Sequence, residues 1–462
     1  MQSTKSLTFK VSRKNPELIA PAKATPHEFK LLSDIDDQDG LRFQIPVIQF
    51  YRSQEGKGIM DPVKAIRDAV AKALVSYYPF AGRLRERAAR KLVVECTGEG
   101  VMFIEADADV TLKQFGEALH PPFPCLKELL YDVPGSTQLL NCPLLLIQVT
   151  RLKCGGFIFA IRLNHTMSDA FGLVQFMSAV GVLACGAEAP SIPPVWERHL
   201  LTARDPPTVT HMHREYDDVI PDAKKGAPTP PQDMAHRSFF FGPAELSALR
   251  SLLPPHTRRN SSTFELLAAS LWRCRTIAIS PDPKDEVRFM CIVNTRRRFS
   301  QPLPAGYYGN AFAFSVAIAT AGDLSTRPLD FVVGLVKKAK DEVTEEYMRS
   351  LADVMVIRNR PHFSVARTYL VSDVRHAGFR KVDFGWGKPV YGGPAEGGVD
   401  EIPGVVNFYI PFMNNKGEDG VLVPMCLAAN AMEVFVKELE GMLQGVDAVA
   451  GRKKGVFIGS AM

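Results

Sequence analysis

Two histidines in this 462-residue chain are followed four positions later by an aspartate: His165–Asp169 in RLNHTMSDAFGL and His213–Asp217 in HMHREYDD. An imidazole can act as a general base, and its ordinary pKa of about 6.5 leaves it mostly neutral at cytosolic pH. The spacing alone is common, so context separates the two. His213 lies in a proline-rich, charged stretch, where a solvated loop is the expectation. His165 directly follows the strand-like run GGFIFAIRL and precedes a helix that Ser168 or Asp169 can cap. The end of a buried strand holds a side chain rigidly at the edge of a cleft. The competing reading of His165 is a satisfied buried histidine beside an N-cap.

Other chemistries lack their residues. The sequence has no GxSxG nucleophile elbow, no GxxxxGK[ST] phosphate loop, no HExxH and no GxGxxG. The acidic run Asp34, Asp36, Asp37 and Asp39 resembles a calcium loop, but the twelfth position from Asp34 is Ile45, where a bidentate Glu is needed. A solvated or structural acidic turn is expected there, and no metal. The eight cysteines form no CxxC or CxxxC pair, which argues against a tight zinc site and fits buried thiols in a reducing cytosol. The sequence HTRRNSSTFE places Arg258 and Arg259 before an S-x-x-E capping box, Ser262 with Glu265. Helix N–H groups beside two guanidinium groups suit a phosphate, although a plain cap gives the same letters.

The elements that position these residues are read from periodicity. Phe43–Tyr51 is strand-like. Pro62–Ser76 is a helix, with Val63, Ile66, Val70, Ala73 and Leu74 on one face and Asp61 as its cap; Pro79 and Gly82 stop it from continuing. Leu144–Val149 and Phe157–Leu163 read as central strands. Prolines then gather among charged residues over 191–235, a long crossover. Beyond it come a helix from Thr263, strands Arg288–Val293 and Ala311–Ala317, and one helix from Leu329 to Met348. The expected organisation is α/β, with domains at 1–190 and 236–462 and a crossover loop at 191–235.

Composition limits the function. The chain is 46% hydrophobic and 23% charged, which excludes disorder; Gly and Pro, 34 each, exclude collagen-like repeats. A net charge of +5, from 55 basic and 50 acidic residues, is too small and too evenly spread for a nucleic-acid binder. It leaves room for a local basic site holding a small anion. The longest apolar run, Leu173–Ala184, is shorter than a bilayer span and contains Gln175 and Ser178. The first residues lack the apolar stretch of a secretory signal, so a soluble cytoplasmic protein is expected.

HTMSDAFG and VDFGWGKP together resemble the BAHD family of plant acyl-CoA-dependent acyltransferases. The segments LSDIDDQ, YPFAGRL, SSTFELLAASLWR, GYYGNAF and VSD occur in the family's order, so the resemblance spans nearly the whole chain. LPAGYYGNAFAF, VTEEYM and GVVNFYIPF are most similar to its alcohol acyltransferase branch, which includes benzyl alcohol benzoyltransferases. The resemblance implies two chloramphenicol-acetyltransferase-like domains of mixed sheet and helices with a channel between them. It implies that acyl-CoA is a co-substrate, with no permanently bound cofactor, and that a small alcohol or amine is the acceptor. His165 would be the general base on the acceptor hydroxyl. Asp169 would turn from the substrate and pair with Arg296. Asp383, Gly385, Trp386 and Gly387 would be structural, and Trp386 would pack. The family places CoA contacts at positions matching Ser262, Thr263, Asn294 and Lys388, near Arg258 and Arg259. Asn407 is a candidate oxyanion donor. A monomer is expected, with no nucleic-acid or membrane partner. The rival from another class is a non-catalytic acyl-CoA binder, against which the intact His165, Asp169 and DFGWG argue.

Overall fold

The computed structural model describes residues 7–54, 60–136, 138–218, 233–399 and 402–444, with the backbone of 457–458. The apolar runs of the sequence become the centres of two mixed seven-stranded sheets. In the first, Phe157–Asn164 is buried at every position except Arg162 and lies antiparallel between Leu145–Leu152 and Gln44–Tyr51. A strand covered on both faces has no polar side to present, which is why it reads as nearly continuous apolar sequence. Val101–Ala108 and Val11–Arg13 continue the sheet beyond Leu145–Leu152. The helices Pro62–Ser76 and Ala170–Ala184 pack on one another. Asp61 caps the former, its Oδ1 accepting from Val63 N at 3.2 Å.

The second sheet runs Phe312–Thr320, Glu286–Asn294, Thr368–Asp373, Val406–Met413, Asp419–Ala428, Met234–Phe241 and Phe457–Ile458. Thr263–Ile279 packs between Leu329–Glu342 and Ala429–Gln444. One strand crosses over: Tyr391–Pro394, from the later part of the chain, pairs with Gln44–Tyr51 and forms the edge of the first sheet. Beside it Gln49 Nε2 donates to the Phe379 carbonyl at 2.8 Å, and the Tyr51 hydroxyl to the Val382 carbonyl at 3.0 Å.

Two expectations are corrected, and of the two readings of the acidic run the structural one holds. The helix expected over Leu329–Met348 is two, Leu329–Glu342 and Glu345–Ile357. Thr344 starts the second by accepting from Tyr347 N, while Arg298 donates to the Lys340 and Val343 carbonyls and closes the first. His213, expected in a solvated loop, is buried, because Glu215 of its own segment and Ser350 of the helix Glu345–Ile357 supply the partners that water would otherwise provide. Its Nε2 meets Ser350 Oγ and its Nδ1 meets Glu215 Oε1, both at 2.9 Å, with the ring edge-on to Tyr347. The acidic run is no solvated turn: Asp34, Asp36 and Asp37 are buried and structural. Asp34 holds Lys91 and Ala203 N, Asp36 holds Arg198, and Asp37 holds Arg360, Arg42 and Leu92 N. The crossover prolines Pro221, Pro228, Pro230 and Pro231 lie outside the described residues.

Candidate active site

The strand Phe157–Asn164 ends in a tight turn, His165–Met167. Asn164 shapes it, its side-chain oxygen accepting from Thr166 N at 3.2 Å and from the Thr166 hydroxyl at 2.7 Å. The His165 N–H is tied to the Phe43 carbonyl at 2.8 Å. Four residues on, Asp169 caps the helix Ala170–Ala184 through Phe171 N and Gly172 N. Turn and helix start are thereby fixed by the local sequence, and His165 is held between them. A Cβ on Gly172 would fall 2.1 Å from the Tyr308 carbonyl oxygen, so only glycine lets this helix approach so closely.

Asp169 is engaged by more than its cap. Arg296 grips it bidentately, with Nη1 to Oδ2 at 2.7 Å and Nη2 to Oδ1 at 2.8 Å, and Ala311 N adds a bond to Oδ2 at 3.1 Å. Arg296 also donates to the Gly309 carbonyl at 2.7 Å. The carboxylate therefore joins the His165 turn to the GYYGNAF segment. Ser168 is buried and donates to the Tyr308 carbonyl at 2.6 Å, so its proton is committed to backbone.

His165 is the common wall of two pockets. One is lined by Ser168, Asp169, Asn294, Ser372 and Asp373 among apolar side chains. The other is lined by Phe43, Phe314, Phe363, Ile402 and Val406, with His362 at its side. Ile45, Ile292, Phe312, Ser372 and Phe408 border both. The two pockets meet at one imidazole, the first with more polar residues in its lining and the second with more phenylalanines. Burial holds the His165 pKa below its ordinary value; its own carbonyl, Asp169, Asn310 and Asp36 oppose that shift without cancelling it. A neutral imidazole in an apolar site can accept a proton and cannot hold a positive charge cheaply.

The other sequence candidates are spread more widely. Asn294 ends the strand Glu286–Asn294 and lines the first pocket, its Oδ1 accepting from Arg296 N at 3.0 Å. Ser262 and Glu265 form the reciprocal capping box, and Thr263 Oγ1 accepts from Arg250 at 3.2 Å. Arg258 donates to the Ser251 and Leu253 carbonyls, while Arg259 and Lys388 are exposed. Ser262, Thr263, Arg258, Arg259 and Lys388 line neither pocket. In DFGWG, Asp383 Oδ1 accepts from Gly385 N at 2.7 Å and Gly387 N at 2.8 Å, and both glycines have positive φ. Trp386 packs edge-on to Phe157, at the opposite end of the strand from His165. Asn407 donates to the Pro424 carbonyl at 2.6 Å and lines neither pocket, so it is misplaced for an oxyanion.

Sequence reasoning missed Asn310, Asp36 and Arg198. Asn310 Nδ2 donates to the His165 carbonyl at 2.8 Å, and Arg198 donates to the Met167 carbonyl at 2.8 Å. The available signal was a lone amide inside the aromatic run YYGNAFAF. Among the described residues, no group of three His, Cys, Asp or Glu is placed to hold a metal.

A model of the Transferase family matches residues 9–442. A benzyl alcohol O-benzoyltransferase of Petunia hybrida is 66% identical, covering 100% of this chain and 99% of its own length. A benzyl alcohol O-benzoyltransferase of Nicotiana tabacum is 67% identical, covering 97% and 96%. Among solved structures, vinorine synthase superposes with a TM-score of 0.72 at 22% identity, covering 94% of this chain and 98% of that one. TRI101 of F. sporotrichioides, solved with coenzyme A and T-2, superposes with a TM-score of 0.69 at 15% identity, covering 89% and 98%. These two share the two-domain acyltransferase fold. With its HTMSD and DFGWG motifs, its two mixed sheets and this match over nearly its full length, the chain belongs to the Transferase family, the BAHD acyltransferases.

Proposed function

We propose that this enzyme transfers a benzoyl or similar acyl group from acyl-CoA to the hydroxyl of a small alcohol such as benzyl alcohol. The observation that carries the reading is the single imidazole shared by two pockets, one lined with Asn294, Ser372 and Asp373 and the other with Phe43, Phe314 and Phe363, in a chain 66% identical to a benzyl alcohol O-benzoyltransferase. The pantetheine arm of CoA has amides that suit Asn294 and Ser372 in the first pocket. Phe43, Phe314 and Phe363 suit an aromatic group. Ser262, Thr263 and Lys388, with Arg258 and Arg259, are the proposed outer contacts of CoA.

In the proposed reaction His165 Nε2 takes the hydroxyl proton as the alcohol oxygen bonds to the thioester carbonyl carbon. The tetrahedral adduct then breaks its C–S bond, and the departing thiolate receives the proton from the imidazolium. The thiolate is a good leaving group, so the step needs no acyl-enzyme. The enzyme is proposed to act as a monomer. Among the described residues no helix is long and apolar enough to cross a membrane and no two cysteines are bonded, which supports a cytoplasmic enzyme.

Incubation with benzoyl-CoA or acetyl-CoA and benzyl alcohol, aliphatic alcohols or amines, with thiol release as the readout, tests the reading. Release with an alcohol is expected, and His165→Ala is expected to lower kcat by roughly 10²–10⁴-fold. Because the neutral ring is the active form and its pKa is lowered, kcat/KM should be level at neutral pH. It should fall only on acidification below about 6.5. No thiol release with any pair overturns the assignment, and an active His165→Ala overturns the general-base role.

A further inference from the structure

The acidic run that begins at Asp34 leads directly into Gly40, and that glycine stands at the second pocket. Gly40 lies in the short turn Asp39–Leu41 and lines the pocket beside Phe363. A Cβ built on it would fall 2.5 Å and 2.6 Å from two carbons of the Phe363 ring. Its φ is not positive, so the backbone conformation there does not call for glycine. What the bare Cα supplies is clearance for that ring.

The backbones on either side of this contact are held. Arg360, three residues before Phe363, donates from Nε to Asp37 Oδ2 at 2.7 Å. Arg42, two residues after Gly40, donates to Asp37 Oδ1 at 2.9 Å. Asp37 is fully buried and Arg360 nearly so, and parting them would leave an uncompensated charge in the interior. Gln38 is held by the Tyr216 hydroxyl, and Leu41 N donates to the Gln38 carbonyl at 3.0 Å. Just past the ring, Ser364 N donates to the Glu215 carbonyl at 2.8 Å. The Phe363 ring packs against Phe314 and His362, with centroids 4.7 Å and 4.4 Å away. His362 is tethered in turn, its Nδ1 donating to the Phe363 carbonyl at 2.7 Å. With Gly40 and these two rings around it, the space left to Phe363 is the pocket that it lines. A side chain at position 40 would press the ring into that space.

We propose that Gly40 is a specificity-determining residue: by leaving room for the Phe363 ring, it keeps the second pocket wide enough for the aromatic ring of an arylmethyl alcohol. The inference rests on the proposed function, in which the pantetheine arm takes the first pocket and the alcohol reaches His165 from the second. The Asp37–Arg360 pair then has a use beyond stability, since it sets the distance between the glycine and the ring.

Gly40→Ala is expected to lower kcat/KM for benzyl alcohol relative to ethanol by roughly 10–200-fold, the range that a one-carbon change in an apolar pocket commands. Phe363→Leu, added to Gly40→Ala, should recover most of that ratio, because residues in contact do not act additively. Phe363→Leu alone should raise kcat/KM for 2-naphthylmethanol relative to benzyl alcohol. The fall in Gly40→Ala should appear with acetyl-CoA and with benzoyl-CoA alike. A fall with benzoyl-CoA alone seats the acyl ring in this pocket and overturns the inference. A wild-type ratio in Gly40→Ala overturns it too, as does a double variant with no recovery, which marks a general lesion. If Gly40→Ala does not fold, an unchanged naphthyl-to-benzyl ratio in Phe363→Leu overturns it. Wild-type enzyme that releases no thiol with any pair overturns instead the function on which it rests.

Discussion

Asp169 shows how one carboxylate can fix a turn and a helix start together. Its two oxygens take Phe171 N, Gly172 N, Ala311 N and both terminal nitrogens of Arg296. Removing the arginine leaves a desolvated charge with backbone donors only. Arg296→Ala should therefore lower stability by roughly 3–5 kcal/mol, measured by denaturant unfolding, and should lower kcat as the His165 turn loosens. Arg296→Lys keeps the charge and loses the fork, so it should fall between the two. The HxxxD spacing made His165 and Asp169 visible in the sequence because turn and cap are local. The partners Asp36, Arg198 and Asn310 were not, because they reach the turn from three remote segments and carry no spacing of their own.

At the scale of elements, the second HxxxD motif has an instructive fate. His213, Glu215 and Ser350 are arranged like a hydrolase triad, with both histidine nitrogens at 2.9 Å from their partners. Yet Ser350 is fully buried within a helix, and its oxygen already accepts from Thr210 N and His211 N. It has no lone pair or opening for a substrate. The cluster fastens the crossover segment to the helix Glu345–Ile357. Ser350→Ala should leave kcat unchanged and lower stability by about 1–3 kcal/mol, and a fluorophosphonate probe should not label Ser350 in the folded protein. The strands and the helix Pro62–Ser76 were legible because burial on two faces or one writes itself into periodicity. The end of Leu329–Glu342 was not, because apolar spacing runs through Val343 and only the Thr344 cap marks the break. Channel walls are harder still: Phe43, Phe312 and Phe363 come from three separate stretches and meet only through the fold.

At the scale of the molecule, Tyr391–Pro394 makes the two sheets interdependent. Expressed alone, a fragment of residues 1–190 would present Gln44–Tyr51 as a long apolar edge, so it should aggregate. Co-expression with 191–462 should restore a soluble, active complex, read by gel filtration and thiol release. The same strand bears on how cargo moves. Walls sewn together along an edge strand and through Gln49 and Tyr51 have no seam along which to part. Separating the two sheets to open the site would break those bonds, so bulk added beside the pockets should slow release of product more than the bond-making step.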